Sequence, residues 1–366
     1  MAIDHVRVYS GLPAGGLTPG LFFTRWITHF VAPAFCFFAG TGAFFHGRKL
    51  GNLGALSRYL VTRGIMLVLL ELTVIRVFWT FNFAFDQYIL FGVIWMLGVC
   101  MILLAGLVRF SPRSIGLFGL VVIFAQQLIA LVATHIPKTM QTHVRWLFQF
   151  LWSGGRVTAG GGPPTLAILY SIVPWIGVMA VGYAFAALIL TREAADRRRA
   201  CLRIGLAATA LFVVIATLVE LRRPPSPEDW PLLYRILGQQ KYPATQLFLM
   251  MTLGPIIALI PVAERAQGWC SAALATFGRV PMFFYLLHIP LIHAVALVVS
   301  LVRERQVDPW LFGNHPMMPP PQPEGYMWSL GLLYLVYVIV IPPLYLACRW
   351  YGRQKREHPN GVLRYL

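Results

Sequence analysis

The sequence predicts an all-α fold: a polytopic transmembrane helix bundle of nine complete spans plus a partial N-terminal one, in a single domain over residues 1–366. Three observations predict it. Hydrophobic residues make up 58% of the chain and charged residues 12%, against ~25% charged in ordinary soluble domains, and the mean hydropathy is +0.68. Apolar runs of the ~20 residues that a spanning helix needs recur at 21–46, 64–81, 88–108, 114–134, 165–190, 201–220, 244–262, 273–300 and 328–348. The basic residues collect in alternate short segments between those runs, as the positive-inside rule requires.

This distribution decides what the net charge of +17 means. A pI near 10.2 alone suggests nucleic acid, but charge placed at span ends is a topology signal, so nucleic acid is excluded. The five cysteines form no C-x-x-C pair, so neither a disulfide framework nor a zinc site is expected. The N-terminus lacks the order of a signal peptide. No Walker, Rossmann, H-E-x-x-H or G-x-S-x-G pattern occurs.

Residues 1–9 read as the end of a further span carrying Asp4 and His5, followed by a Gly/Pro-rich loop from Ser10 to Gly20. The next run holds Arg25, Trp26 and His29 in its first turns. Ionisable groups at a span centre cost ~2.5–3.5 kcal/mol or more and face a protein interior or a wet cavity. With the Ser10–Gly20 loop outside, the inside segments hold Arg48, Lys49, Arg58 and Arg63, then Arg109 and Arg113, then Arg192 to Arg203, and the basic tail ending at Arg364. The C-terminus is then cytoplasmic. Outer loops carry fewer charges, among them Lys138 and Arg145, and three are long: 135–164 with Gly160 and Gly161, 221–243 with Pro227, and 301–327. They read equally as binding loops and as spacers.

At 1.5 Å per residue, His29 lies ~12 Å below Leu21. Asp4, His5, Arg25, His29, Asp86, His288 and His293 all fall in the outer half by the same count. Each has a plainer reading: His293 as an interfacial residue, Arg25 as a snorkelling side chain. His29 and His288 lie deeper, where a polar network or catalytic role is expected. His5 beside Asp4 has two readings, an oriented acid/base pair and two neighbours that do not pair, since adjacency alone does not bring side chains together. Glu71 and Arg76 read as a structural ion pair, Gln126 and Gln127 as inter-helix hydrogen bonders. Gly40 and Gly42 read as points of close approach.

Several stretches carry a resemblance. They are Met1 to Arg7, Thr24 to Pro33 onward through Ala39-Gly40-Thr41, Gly92-Val93-Ile94-Trp95-Met96-Leu97-Gly98, Lys241-Tyr242-Pro243 through Met251-Thr252-Leu253-Gly254-Pro255, and Phe277-Gly278-Arg279-Val280-Pro281 through His288. The chain resembles bacterial members of the heparan-alpha-glucosaminide N-acetyltransferase catalytic-domain family. The resemblance implies a transmembrane acyltransferase passing an acetyl or acyl group from cytosolic acetyl-CoA to an amino or hydroxyl group of a sugar or envelope glycoconjugate outside. It implies residence in the bilayer of a bacterial inner membrane, in an oligomeric state that stays open.

On that resemblance Asp4, His5 and His288 are the catalytic candidates, and Arg25, Trp26, His29 and Asp86 hold the acceptor. Arg48, Lys49 and Arg279 meet the CoA phosphates, and no metal is implied. The family's characterised eukaryotic member carries its proposed catalytic histidine in the loop after the first span. Residues 6–20 here hold none, so a general-base role for His5 or His288 is expected in place of a covalent acetyl-His relay. Relatives also have a full first helix, so a start codon upstream of Met1, or a truncated gene, is expected. A different class, a secondary transporter or exporter of an envelope precursor, remains the alternative, and a scaffold without chemistry a weaker one.

Overall fold

The computed structural model describes residues 1–15, 18–136, 144–158, 162–226, 229–317 and 319–358. Lys138, Gly160, Gly161, Pro227 and Arg364 lie outside the described residues. The chain is nearly all helical. Among the described residues six helices are long and apolar enough to cross a membrane: Pro19–Leu50, Val173–Leu190, Ala194–Arg222, Gln246–Arg265, Pro281–Glu304 and Leu330–Glu357.

The other three expected spans take a different local form. Residues 64–81 belong to a helix that begins at Leu53, passes through a π-helical turn at Glu71–Ile75 and ends in Arg76–Thr80. The run at 88–108 opens as a strand, β1 (Tyr88–Phe91), and its helix Val93–Leu107 has 15 residues. The run at 114–134 divides at Gln126 into Pro112–Ala125 and Gln127–His135. Two of the six confirmed runs are also shortened. That at 165–190 opens as β3 (Thr165–Ile168), and that at 273–300 breaks at Val280, whose φ of −133° and ψ of 51° leave the helical region ahead of Pro281, as residues before proline tend to do.

With β2 (Gly155–Thr158), these strands form a sheet in the order β1-β3-β2. β1 runs parallel to β3, Tyr88 opposite Thr165 through Phe91 opposite Ile168, and β2 runs antiparallel to β3. Short apolar runs of this kind cannot be told from buried helix by periodicity. The sheet therefore qualifies the all-α expectation.

The chain forms two compact units, each assembled from separated segments: Met1–Thr28, Thr73–Ala84 and Ala263–Leu366 in the first, His29–Leu72 and Phe85–Val262 in the second. The second unit is held by close helix contacts at glycine. Val31–Leu50 packs along Val173–Leu190 so closely that a Cβ on Gly40 would overlap the carbonyl of Met179, and one on Gly182 the carbonyl of Phe37. Thr41 Oγ1 donates to Gly182 O at 3.0 Å and Cys36 Sγ to Trp175 O at 3.1 Å across the same seam. Small residues of this kind let membrane helices associate without a hydrophobic driving force. Gly42, expected to do the same, faces open space.

Gln126 Nε2 donates to Ala244 O at 3.0 Å and Gln127 Nε2 to Gln246 Oε1 at 3.0 Å, tying two segments together as expected. Glu71 does something the sequence did not suggest. Its Oε2 accepts from the N–H groups of Ile94 (2.8 Å) and Trp95 (3.2 Å), the first turn of Val93–Leu107. Gly92 leaves room for that carboxylate, which any Cβ there would strike. Arg76 for its part donates to Thr80 Oγ1 (2.7 Å), Asn82 Oδ1 (3.0 Å) and Ala84 O (2.6 Å). Arg76 is thus met by two side-chain oxygens and a carbonyl close by in the chain, while the Glu71 carboxylate sits at a helix N-terminus, where backbone N–H groups lack partners within the helix.

In the first unit, Ala2–Ser10 packs against Pro281–Glu304 and Leu330–Glu357. Its C-terminal carbonyls, orphaned by the end of the helix, are taken by the loop beyond Glu304. Asn314 Nδ2 donates to Val8 O (2.9 Å), Tyr326 O–H to Tyr9 O (2.9 Å), and Trp328 N–H to Ser10 O (2.9 Å). Gly11 closes the helix at φ +73° against the Gln322 side chain. With Trp310, Leu311, Asn314, His315, Tyr326 and Trp328 buried, this loop is packed structure and not a spacer. Burial, more than the nearby Glu304 and Asp308, raises the Tyr326 phenol above its ordinary pKa.

Candidate functional site

A pair of histidines stands at the centre of the first unit. His5 projects from Ala2–Ser10 and His288 from the second turn of Pro281–Glu304. His288 Nε2 lies 2.7 Å from His5 Nδ1, and the rings are nearly parallel, 17° apart with centroids at 4.7 Å. His288 is fully buried while His5 is half-buried.

The partners dictate the tautomers. His288 Nδ1 lies 2.9 Å from Phe284 O, a group that can only accept, so Nδ1 carries the hydrogen. In the neutral ring Nε2 then accepts from the Nδ1–H of His5. That leaves the lone pair of the half-buried imidazole on His5 Nε2. Trp79 packs its edge on His5 (4.7 Å, 64°), Tyr285 lies across it (6.3 Å, 85°), and Phe284 stacks on His288 (5.0 Å, 7°). Trp79 is itself held by Tyr9, whose O–H donates to its carbonyl at 2.7 Å.

Consecutive helical residues diverge by ~100°, and the Asp4 carboxylate accepts from Arg7 Nε (2.8 Å) and lies 3.5 Å from Arg25 Nη1, while His5 turns to His288. Arg25 is thus beside the site through Asp4. Trp26 follows it and packs on Phe23 (6.2 Å). His293, five residues beyond His288, is buried between Tyr9 (4.7 Å) and Phe81 (3.9 Å), a packed position and not an interfacial one. Arg279 is exposed in the last turn of Trp269–Arg279.

The remaining candidates belong to the second unit. His29 is buried against Phe248 (5.4 Å). Asp86 is exposed in the turn before β1, and Arg48 and Lys49 are exposed in the last turn of Val31–Leu50. Sequence reasoning passed over Lys241 in that unit. Lys241 is 8% exposed, and its ammonium sits over the rings of Tyr170 (5.4 Å) and Tyr242 (5.1 Å). It also passed over Trp79 and Tyr285, whose aromatic character is common in any span and gave no signal. Among the described residues no three His, Cys, Asp or Glu side chains gather as a metal cage.

Residues 10–218, more than half of the chain, match the family described as heparan-alpha-glucosaminide N-acetyltransferase, catalytic. The chain belongs to that family. As a member of the heparan-alpha-glucosaminide N-acetyltransferase family it is an integral membrane protein of transmembrane acyltransferase type. His5 and His288 lie outside the matched residues, one before and one after. No curated protein and no solved structure matches the chain.

Proposed function

We propose that the protein transfers an acyl group from acyl-CoA to an amino or hydroxyl group of a sugar or envelope glycoconjugate, with His5 as general base and His288 as the residue that orients it. The observation that carries this reading is the 2.7 Å hydrogen bond between the two imidazoles. His5 Nε2 takes the proton of the acceptor N–H or O–H as that atom attacks the thioester carbonyl. The C–S bond then breaks and the proton passes to the CoA thiolate. As His5 becomes imidazolium, its bond to His288 becomes charge-assisted and strengthens, so the pair favours the transition state over the ground state. General-base catalysis of this kind contributes ~10²–10⁴-fold.

Arg25, held through Asp4, and Trp26 are the acceptor-binding groups of this reading. Arg48 and Lys49, in the last turn of Val31–Leu50, receive the CoA phosphates. The chain acts as one integral-membrane domain of nine complete spans in a bacterial inner membrane with its C-terminus in the cytoplasm. The alternation of basic loops supports that orientation.

The test is acetyl-CoA binding and slow hydrolysis by the purified, detergent-solubilised protein. Saturable binding, with hydrolysis lost in His5→Ala, is expected. A protein that binds no acyl-CoA while remaining folded would overturn the acyltransferase reading in favour of a transporter.

A further inference from the structure

The helix Leu330–Glu357 ends beside a cavity of ≈ 380 Å³ lined by Leu346, Arg349, Trp350, Arg353 and Arg356. The arginines stand at i, i+4 and i+7, one face of the helix. All three are exposed, and among the described residues none has a hydrogen bond or a carboxylate partner. The acid next to them in sequence, Glu357, is engaged by Gln354 Nε2 at 3.2 Å. Three guanidiniums that have no partner among the described residues surround one cavity, and like charges so placed favour an anion there.

The surface leading to the cavity says which anion. Leu335, Ile339, Leu346 and Trp350 are 56%, 53%, 62% and 53% exposed. Their spacing of four, seven and four keeps them on one helix face, and that stripe runs directly into Arg353. A water-soluble phosphate compound makes no use of such a stripe, whereas an acyl chain lies along it. Trp350 falls where apolar surface gives way to charge, the position aromatic residues take at a membrane interface. Arginine matches phosphate oxygens bidentately.

We propose that this cavity binds the phosphate of an anionic glycerophospholipid, with an acyl chain laid along the Leu335–Trp350 stripe. The second basic cavity, lined by Arg192, Asp196, Arg199, Ala200, Arg203 and Ile204, differs in having an acid of its own, Asp196, 3.6 Å from Arg199. It serves as the control. The lipid site is independent of acyl transfer, so either reading can fail alone.

Native mass spectrometry of the full chain, titrated with phosphatidylglycerol and separately with phosphatidylcholine, tests it. One phosphatidylglycerol is expected to be retained in preference to phosphatidylcholine. Arg353→Gln should weaken retention about fivefold, and the triple variant Arg349→Gln, Arg353→Gln, Arg356→Gln by about a hundredfold. Arg192→Gln with Arg203→Gln should leave it unchanged. Retention by the triple variant, equal binding of phosphatidylcholine, equal loss in the control variant, or displacement of the lipid by free CoA would each overturn the proposal.

Discussion

At the scale of single residues the proposed chemistry rests on one asymmetry: two histidines share a hydrogen bond, one fully buried and one half-buried. The accessible ring is the one left with a lone pair, because the buried ring spends its only N–H on Phe284 O. His5→Ala should therefore reduce acyl transfer by ~10²–10⁴-fold. His288→Asn, which removes the orienting acceptor and not the base, should cost less and shift the acidic limb of the kcat/KM pH profile. Equal losses with unchanged pH profiles would argue that both residues only pack. The Ser226–Arg235 region offers a separate test. The backbone N–H of Ser226, and then Arg223 and Arg235, hold the Asp229 carboxyl below its ordinary pKa. A depressed pKa means stability that is present above the unfolded value, near 4, and lost as pH falls through the folded one. Amide exchange in this loop should accelerate on acidification below pH 4, and Asp229→Asn should remove that dependence.

Among the elements, the seams between helices decide what can change. Gly40→Ala would force a methyl into the Met179 carbonyl, so the helices must separate along the Cys36–Thr41 seam. Overpacking of this kind costs ~1–3 kcal/mol. Gly42→Ala, on open space, should be near neutral. Reversible unfolding in detergent compares the two, and equal effects would sink the assignment. Glu71 likewise acts on an element and not on a reaction. Its carboxylate caps Val93–Leu107, and hydrogen bonds to charged groups are worth ~1.5–3 kcal/mol each. Glu71→Gln, which keeps an acceptor oxygen, should retain most of the stability that Glu71→Ala loses.

For the whole molecule the exposed and buried cysteines provide a probe. Cys36, Cys100, Cys201 and Cys348 are buried and Cys270 is exposed. A membrane-impermeant maleimide should label Cys270 in the folded protein and the other four after denaturation. With Cys270 on the cytoplasmic side, labelling should occur in inside-out vesicles and fail in right-side-out ones, and the reverse result would invert the proposed topology.

What could be read from the chain alone follows from solvent. Apolar runs of spanning length, charge restricted to their ends and the cost of burying ionisable groups mark a membrane protein, and they single out His5, Arg25, His29 and His288. Those signals depend on composition and order along one helix. Whether His5 meets Asp4 or His288 depends on helix rotation and on the packing of segments 283 residues apart, for which no local signal exists. The same holds for the strands at Tyr88–Phe91 and Thr165–Ile168, where pairing between distant segments overrides an apolar pattern that a helix would satisfy equally well. Glu71 shows it most plainly: its charge inside a span was legible, but its partners are backbone N–H groups, which every sequence carries and only folding brings to one place.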